Sequence, residues 1–195
     1  PSTRARETWR DLGITPPTGI VEQTIRKGIA PKSQVAIVFS GPMQYDSAHR
    51  LALRTMTMLL QSQLLDTIRQ ELGGTYSITA TPDADKSPRP QYTVRIDWTC
   101  DPARTTALVQ RVFEEIERVK ALTFSPRQMA LIREALVREF EQNSQENGYH
   151  LNEIARRYAD KEAGGDVPIA NLRDEIAALT GDAVQEAART YLNTG

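Results

Sequence analysis

The sequence predicts an α+β domain, a two-layer α/β sandwich whose mostly antiparallel sheet is covered on one face by helices. Three observations carry that expectation. Short stretches alternate apolar and polar residues with the two-residue period of a strand, as where Tyr92, Val94, Ile96 and Trp98 alternate with Thr93, Arg95 and Asp97. Longer stretches repeat apolar residues every three or four positions, the spacing of a helix with one buried face. The strand candidates fall in adjacent pairs and the helices are long enough to lie across a sheet, which favours helices layered on a hairpin-built sheet.

Taken in order, residues 1–15 read as a linker from a preceding domain, closed by the Pro16-Pro17-Thr18-Gly19 stretch, and residues 16–195 as one domain. Residues 20–26 and 34–40 are strand candidates joined by a loop containing Pro31. Asp46 or Ser47 caps a long helix reaching Leu72, whose stripe is Ala48, Ala52, Met56, Leu60, Leu64 and Ile68, widened by Leu53, Leu59 and Leu65. Gly73-Gly74 stops it. Strands over 75–81 and 91–99 follow, with the polar, proline-rich stretch 82–90 as a long hairpin tip. Asp101-Pro102 starts a helix bearing Leu108, Val112, Ile116 and Val119. Ser125-Pro126-Arg127-Gln128 is a capping box that opens another through Ile132, Leu136 and Phe140. Asn147-Gly148 breaks that helix, and a shorter one holds Ile154, Ala155 and Tyr158. Two closing helices cover 169–179 and 180–192, the last capped by Thr180.

Composition narrows the function. At 195 residues, with 39% hydrophobic and 25% charged residues, the chain has the make-up of one ordinary globular domain. Its 24 basic residues nearly cancel 25 acidic ones, so it lacks the field that nucleic acid or an anionic membrane would need. No apolar run approaches the roughly 20 residues of a membrane span. The single cysteine, Cys100, offers neither an internal disulfide nor a thiolate metal site, and its place at a strand end reads as a buried spectator. The first residues carry no apolar core of a signal peptide and no starting Met, so the chain reads as a piece of a longer protein.

One segment is more specific. Ile68-Arg69-Gln70-Glu71-Leu72-Gly73-Gly74-Thr75-Tyr76-Ser77-Ile78 resembles the signature in the C-terminal half of pitrilysin/insulinase zinc peptidases, the inverzincins. There an arginine near the end of a long helix precedes a tyrosine by seven residues, across a glycine turn leading into a strand. Lys27-Gly28-Ile29-Ala30-Pro31-Lys32-Ser33 with the strand after it, and the run from Leu179 to Leu192, resemble the opening and closing of the same domain, so the likeness covers roughly 16–193. The resemblance implies a LuxS/MPP-like metallopeptidase fold without zinc of its own. The metal would sit on another domain, in an inverted His-x-x-Glu-His motif. It also implies that Arg69 and Tyr76 bind peptide substrate and that Tyr76 serves catalysis. The implied partners are a zinc-bearing half of the same protein and a peptide or small protein substrate, and a bacterial periplasm or envelope is the implied compartment. Two alternatives stay open: a zinc-free subunit of a two-chain peptidase, and a catalytically inactive structural or interaction homologue.

The residue types suit that chemistry. Peptide hydrolysis builds negative charge on the carbonyl oxygen, and a phenol O–H aimed there donates a bond that strengthens in the transition state. A guanidinium offers a charged fork to a backbone carbonyl or carboxylate. Without the resemblance the same residues read more plainly, Arg69 as a cation complementing the C-terminal helix dipole and Tyr76 as a packed strand aromatic.

Other candidates carry less. His150-Leu151-Asn152-Glu153-Ile154 begins like an inverted zinc motif but puts Ile154 where the second histidine is required, and the other histidine, His49, lies far away in sequence. Glu114, Glu115 and Glu117, with Arg111, Arg118 and Lys120 nearby, read as a solvated, salt-bridged face. Gly73-Gly74 ends a helix and so is no phosphate loop.

Overall fold

A computed structural model of the chain describes residues 12–72, 77–160 and 171–194, with the side chains of 68–72, 157–160 and 171 outside the description. Three strands, β1 (Ser33–Pro42), β2 (Ile78–Asp85) and β3 (Gln91–Cys100), form one antiparallel sheet in the order β1-β3-β2. The helices are α1 (Ser47–Leu72), α2 (Thr105–Ala121), α3 (Pro126–Asn143), α4 (Asn147–Asp160), α5 (Asn171–Ala178) and α6 (Gly181–Tyr191). A short 3-10 turn, Pro102–Arg104, leads into α2.

The central strand shows the expected two-faced alternation. Tyr92, Val94, Ile96, Trp98 and Cys100 are buried, while Arg95 between them is exposed and pairs with Asp97 at 2.7 Å on the open face. The helices therefore cover one face only. Against it α1 lays Leu53, Met56, Leu60 and Leu64, all essentially inaccessible and spaced by three or four residues. The buried Thr55 and Thr57 solve their polarity locally, each hydroxyl donating to a carbonyl four residues back, Leu51 at 2.8 Å and Leu53 at 2.9 Å. On the same face Tyr191 of α6 meets Tyr92 with ring centroids 4.6 Å apart.

The expected caps form. Asp101 accepts from the Ala103 amide, and Thr180 from Ala183. Ser125 and Gln128 make the reciprocal capping box, Gln128 N–H donating to Ser125 Oγ while Ser125 N–H donates to Gln128 Oε1. The start of α6 also requires glycine, because a Cβ on Gly181 would lie 2.8 Å from the Phe124 Cβ. Arg133 of α3 donates through Nε and Nη2 to the Leu179 carbonyl, just past the end of α5, at 3.0 and 2.6 Å.

Four expectations are corrected. Residues 20–26 are not a strand: the segment is irregular and exposed throughout, with Ile20 at 76% and Ile25 at 78%, and it has no ladder in the sheet. β-prone residues permit a strand, but a strand also requires a neighbour to take its hydrogen bonds. β1 accordingly pairs not with a preceding hairpin partner but with β3, Ile37 opposite Ile96. β2 runs to Asp85, through the stretch expected to be a hairpin tip, because its ladder with β3 continues to Gln91. Helix α4 begins at Asn147 itself, and of its expected apolar residues Ile154, at 61%, and Ala155 are exposed, while the Tyr158 side chain lies outside the described residues.

Ile96 and Arg95 are chain neighbours on opposite faces, which gives a direct test of the one-sided core. Ile96→Ala should cost about 3 kcal/mol by chemical denaturation, from lost burial and the cavity left behind. Arg95→Ala should leave the denaturation midpoint where it is. Equal losses from the two would contradict the one-sided arrangement.

Candidate functional site

The candidate site lies where the longest helix turns back into the sheet. Arg69 is in the last turn of α1, and Ile78 opens β2. Tyr76, with the rest of 73–76, lies outside the described residues, as does the Arg69 side chain.

The elements on either side of residues 73–76 are anchored by side-chain contacts. On one, the carboxamide of Gln61 reaches from α1 to the outer edge of β2. Its Nε2 donates to the Ile78 carbonyl at 2.9 Å, and its Oε1 accepts the Ala80 amide. On the other, Thr67 donates to Glu115 Oε1 at 3.0 Å, tying the end of α1 to α2, and Arg118 donates to the same oxygen at 2.7 Å.

Glu115 departs from the sequence expectation. It is 3% exposed, whereas Glu114 and Glu117 sit on the surface as expected, paired with Arg111 and Lys120. The signal was present in the periodicity: position 115 falls on the same face as Leu108, Val112, Ile116 and Val119. A carboxylate there demands partners, since an unpaired buried charge costs several kcal/mol. Gln61 gave less signal, because a glutamine beside an apolar stripe reads as a helix surface residue until the strand arrives next to it.

The far end of α1 is set by Asp46. Its Oδ1 accepts the His49 amide at 2.8 Å and meets His49 Nδ1 at 2.7 Å, while Gln44 donates to Oδ2. Burial pushes this carboxyl upward, but the bonds from the His49 backbone and ring and from Gln44 outweigh it and hold the group below the usual carboxylate value. Burial raises the Tyr92 and Tyr191 phenols, so both are protonated at neutral pH.

The two histidines are occupied by local roles. His49 serves the cap, and His150 Nε2 donates to the Ser144 carbonyl at 2.6 Å. Glu153, beside His150 in sequence, pairs with Arg156 at 2.6 Å. Among the described residues no three His, Cys, Asp or Glu side chains cluster to hold a metal. No helix among them is long and apolar enough to cross a membrane. Cys100 is a buried free thiol at the end of β3, its Sγ 3.6 Å from the Thr105 hydroxyl.

A one-sided antiparallel sheet with a long helix packed across its inner face makes this an α+β domain. Residues 6–136, more than half of the chain, match the family described as the peptidase M16 inactive domain, and the chain belongs to that family. It is 25% identical over 171 residues to a zinc protease PQQL-like protein of Arabidopsis thaliana, covering 83% of this chain and 18% of that protein. Solved structures share the fold. The periplasmic protease PqqL of Escherichia coli superposes with a TM-score of 0.70 at 18% identity, over 84% of this chain and 18% of that one. The ferredoxin protease FusC, solved with Arabidopsis ferredoxin, gives 0.64 at 11% identity over the same shares. A peptidase M16 inactive domain from Pseudomonas fluorescens gives 0.62 at 14%, over 84% of this chain and 39% of that one. The chain thus spans about a fifth of the length of the zinc protease relatives.

The cap of α1 makes a testable claim about pH. Asp46→Ala should lower stability by about 1 kcal/mol at neutral pH, whereas Asp46→Asn should retain most of it, because asparagine also accepts the His49 amide. The folded carboxyl titrates below the unfolded one, so its charge-dependent contribution is whole above about pH 4 and fades as pH falls further. Denaturation curves between pH 2 and 7 check this. The wild type should lose more stability over the acid range than Asp46→Asn.

Proposed function

We propose that this chain is the zinc-free C-terminal domain of a larger zinc-dependent metalloendopeptidase. In this reading residues 16–195 form the domain, 1–15 link it to what precedes, and it grips peptide substrate while helping to close the catalytic chamber over it. The observation that carries the reading is the family membership combined with the Arg69–Tyr76 spacing at the α1-to-β2 return. Arg69 sits on the last helical turn and Tyr76 two residues before the strand.

The division of labour follows from the residue types. Zinc held on another domain supplies an activated water and polarises the scissile carbonyl. This chain contributes groups that hold the substrate and meet developing charge. The Arg69 guanidinium engages a substrate carbonyl or carboxylate in the ground state. The Tyr76 O–H donates to the carbonyl oxygen as it becomes an oxyanion, an interaction worth on the order of 3 kcal/mol in the transition state. The substrate is a peptide or small protein; the ferredoxin complex of the similar FusC supports that class. The periplasmic location of the similar Escherichia coli protease supports an envelope compartment.

Kinetics of the full-length parent test this. Tyr76→Phe should lower kcat and kcat/KM together by about 100-fold or more, with folding unchanged. Arg69→Ala should raise KM as well. A Tyr76→Phe enzyme with wild-type kinetics would return the pair to plain structural duty. Separately, the 195-residue chain alone should retain no stoichiometric zinc after dialysis and cleave no fluorogenic peptide. Zinc at one equivalent with chelator-sensitive turnover would overturn the assignment of the metal to another domain.

A further inference from the structure

The two edges of the sheet are finished differently. At the end of β1 the Met43 amide donates to the Pro90 carbonyl at 3.3 Å, so 43 and 90 are a hydrogen-bonded pair. Such pairs alternate along an antiparallel ladder, so Val35, Ile37, Phe39 and Gly41 turn their backbone groups to β3. Gln34, Ala36, Val38 and Ser40 turn theirs outward, where no partner stands among the described residues. The outer edge of β2 is shut by comparison. Gln61 takes the Ile78 carbonyl and the Ala80 amide, Pro82 has no N–H, and the Ala84 amide donates to the Asp83 carboxylate at 3.0 Å. Strand β1 carries no such device, and its one proline, Pro42, is its last residue.

The core is open on the same side. Val35 and Ile37 are only half-buried, whereas Trp98 and Ile96, opposite them on β3, are 2% and 0% exposed. One more strand would complete both the ladder and that layer. A bare edge of ten residues is a template for aggregation, so its occupant belongs there permanently. A substrate peptide would leave it bare between turnovers.

The chain around the edge says which occupant fits. Residues 12–32 lead directly into β1 and form no helix or strand. Among the described residues, six of the ten large apolar side chains that stand exposed lie between 12 and 29, Ile20, Val21, Ile25 and Ile29 among them. Apolar surface gathered in this way on the approach to β1 marks a side that another body covers. The chain spans 18% of the length of its zinc protease relatives, so in proteins of that size most of the polypeptide lies outside it. A strand of the same polypeptide is held near the edge at high effective concentration, an advantage that a second copy lacks.

We propose that the outer edge of β1 is an interdomain interface, where a strand from the remainder of the parent polypeptide adds to the sheet beside Gln34–Ser40. Apolar side chains of that strand cover Val35 and Ile37, and the segment 12–29 lies against the same neighbouring domain. The proposal rests on the reading of this chain as one domain of a longer protein, and not on the roles of Arg69 and Tyr76.

Hydrogen exchange at single-residue resolution tests it in the full-length parent, kept dilute, monomeric and free of substrate. The amides of Ala36, Val38 and Ser40 face outward, while those of Val35, Ile37 and Phe39 face β3. With the interface formed, the two sets should exchange within about 10-fold of each other. An outward set faster by about 100-fold or more would mean a bare edge and would overturn the proposal. Protection that appears only on adding a peptide substrate, or only as the parent is concentrated into a dimer, overturns it equally. Ala36→Pro is the second check, because it removes one outward N–H and leaves the bonds to β3 in place. It should speed exchange at Gln34 and Val38 by about 10-fold or more, while Val94 and Ile96 keep their protection. Unchanged exchange at Gln34 and Val38 would count against the interface. If Ala36→Pro does not fold, the wild-type exchange pattern decides alone. The failure of the catalytic reading is separate: a protected β1 edge beside a Tyr76→Phe enzyme with wild-type kinetics removes the Arg69 and Tyr76 roles and keeps the interface.

Discussion

The packing of α1 against the inner face of a three-stranded sheet is the constraint on which everything else depends. A sheet this narrow has one central strand, and among the described residues only β3 is paired on both edges. Its inward residues are almost wholly buried, so the stability of the layer is concentrated in a line from Tyr92 to Cys100. Helix α1 is the element long enough to cover that line and still reach an edge. The remaining helices fill in around it, with α6 bringing Tyr191 to Tyr92.

Because α1 is both core and scaffold, its polar residues have fixed tasks. Asp46 starts it, Thr55 and Thr57 turn their hydroxyls back into its own backbone, Gln61 holds an edge strand and Thr67 meets a buried carboxylate. Each of these groups would be costly in a helix buried among apolar side chains unless satisfied. The two that reach other elements, Gln61 and Thr67, lie in the C-terminal half of the helix. That end of the helix is also where the proposed Arg69 and Tyr76 pair falls in sequence. A helix tied to both a strand and a second helix holds its C-terminal half in place against the sheet.

The sequence by itself determined what depends on near neighbours along the chain. The caps at Asp46, Asp101, Ser125 and Thr180 are local bonds over two or three residues, and they form as the residue types require. The two faces of β3 follow from alternation, and the stripe of α1 from helical spacing. The Arg69–Tyr76 segment was legible as a motif because its residues are close in sequence.

Tertiary structure alone decided what depends on distant partners. Residues 20–26 have the make-up of a strand, yet among the described residues they join no ladder, and β1 pairs instead with β3, across α1 and β2 in the chain. Glu115 lies among charges in sequence but on the buried face in space, rescued by Thr67 of another helix. Gln61 gained its task only when β2 came alongside α1. A ladder, a buried charge and an edge closure each need a second group whose position in the chain is unconstrained by the first, and periodicity carries no record of that second group.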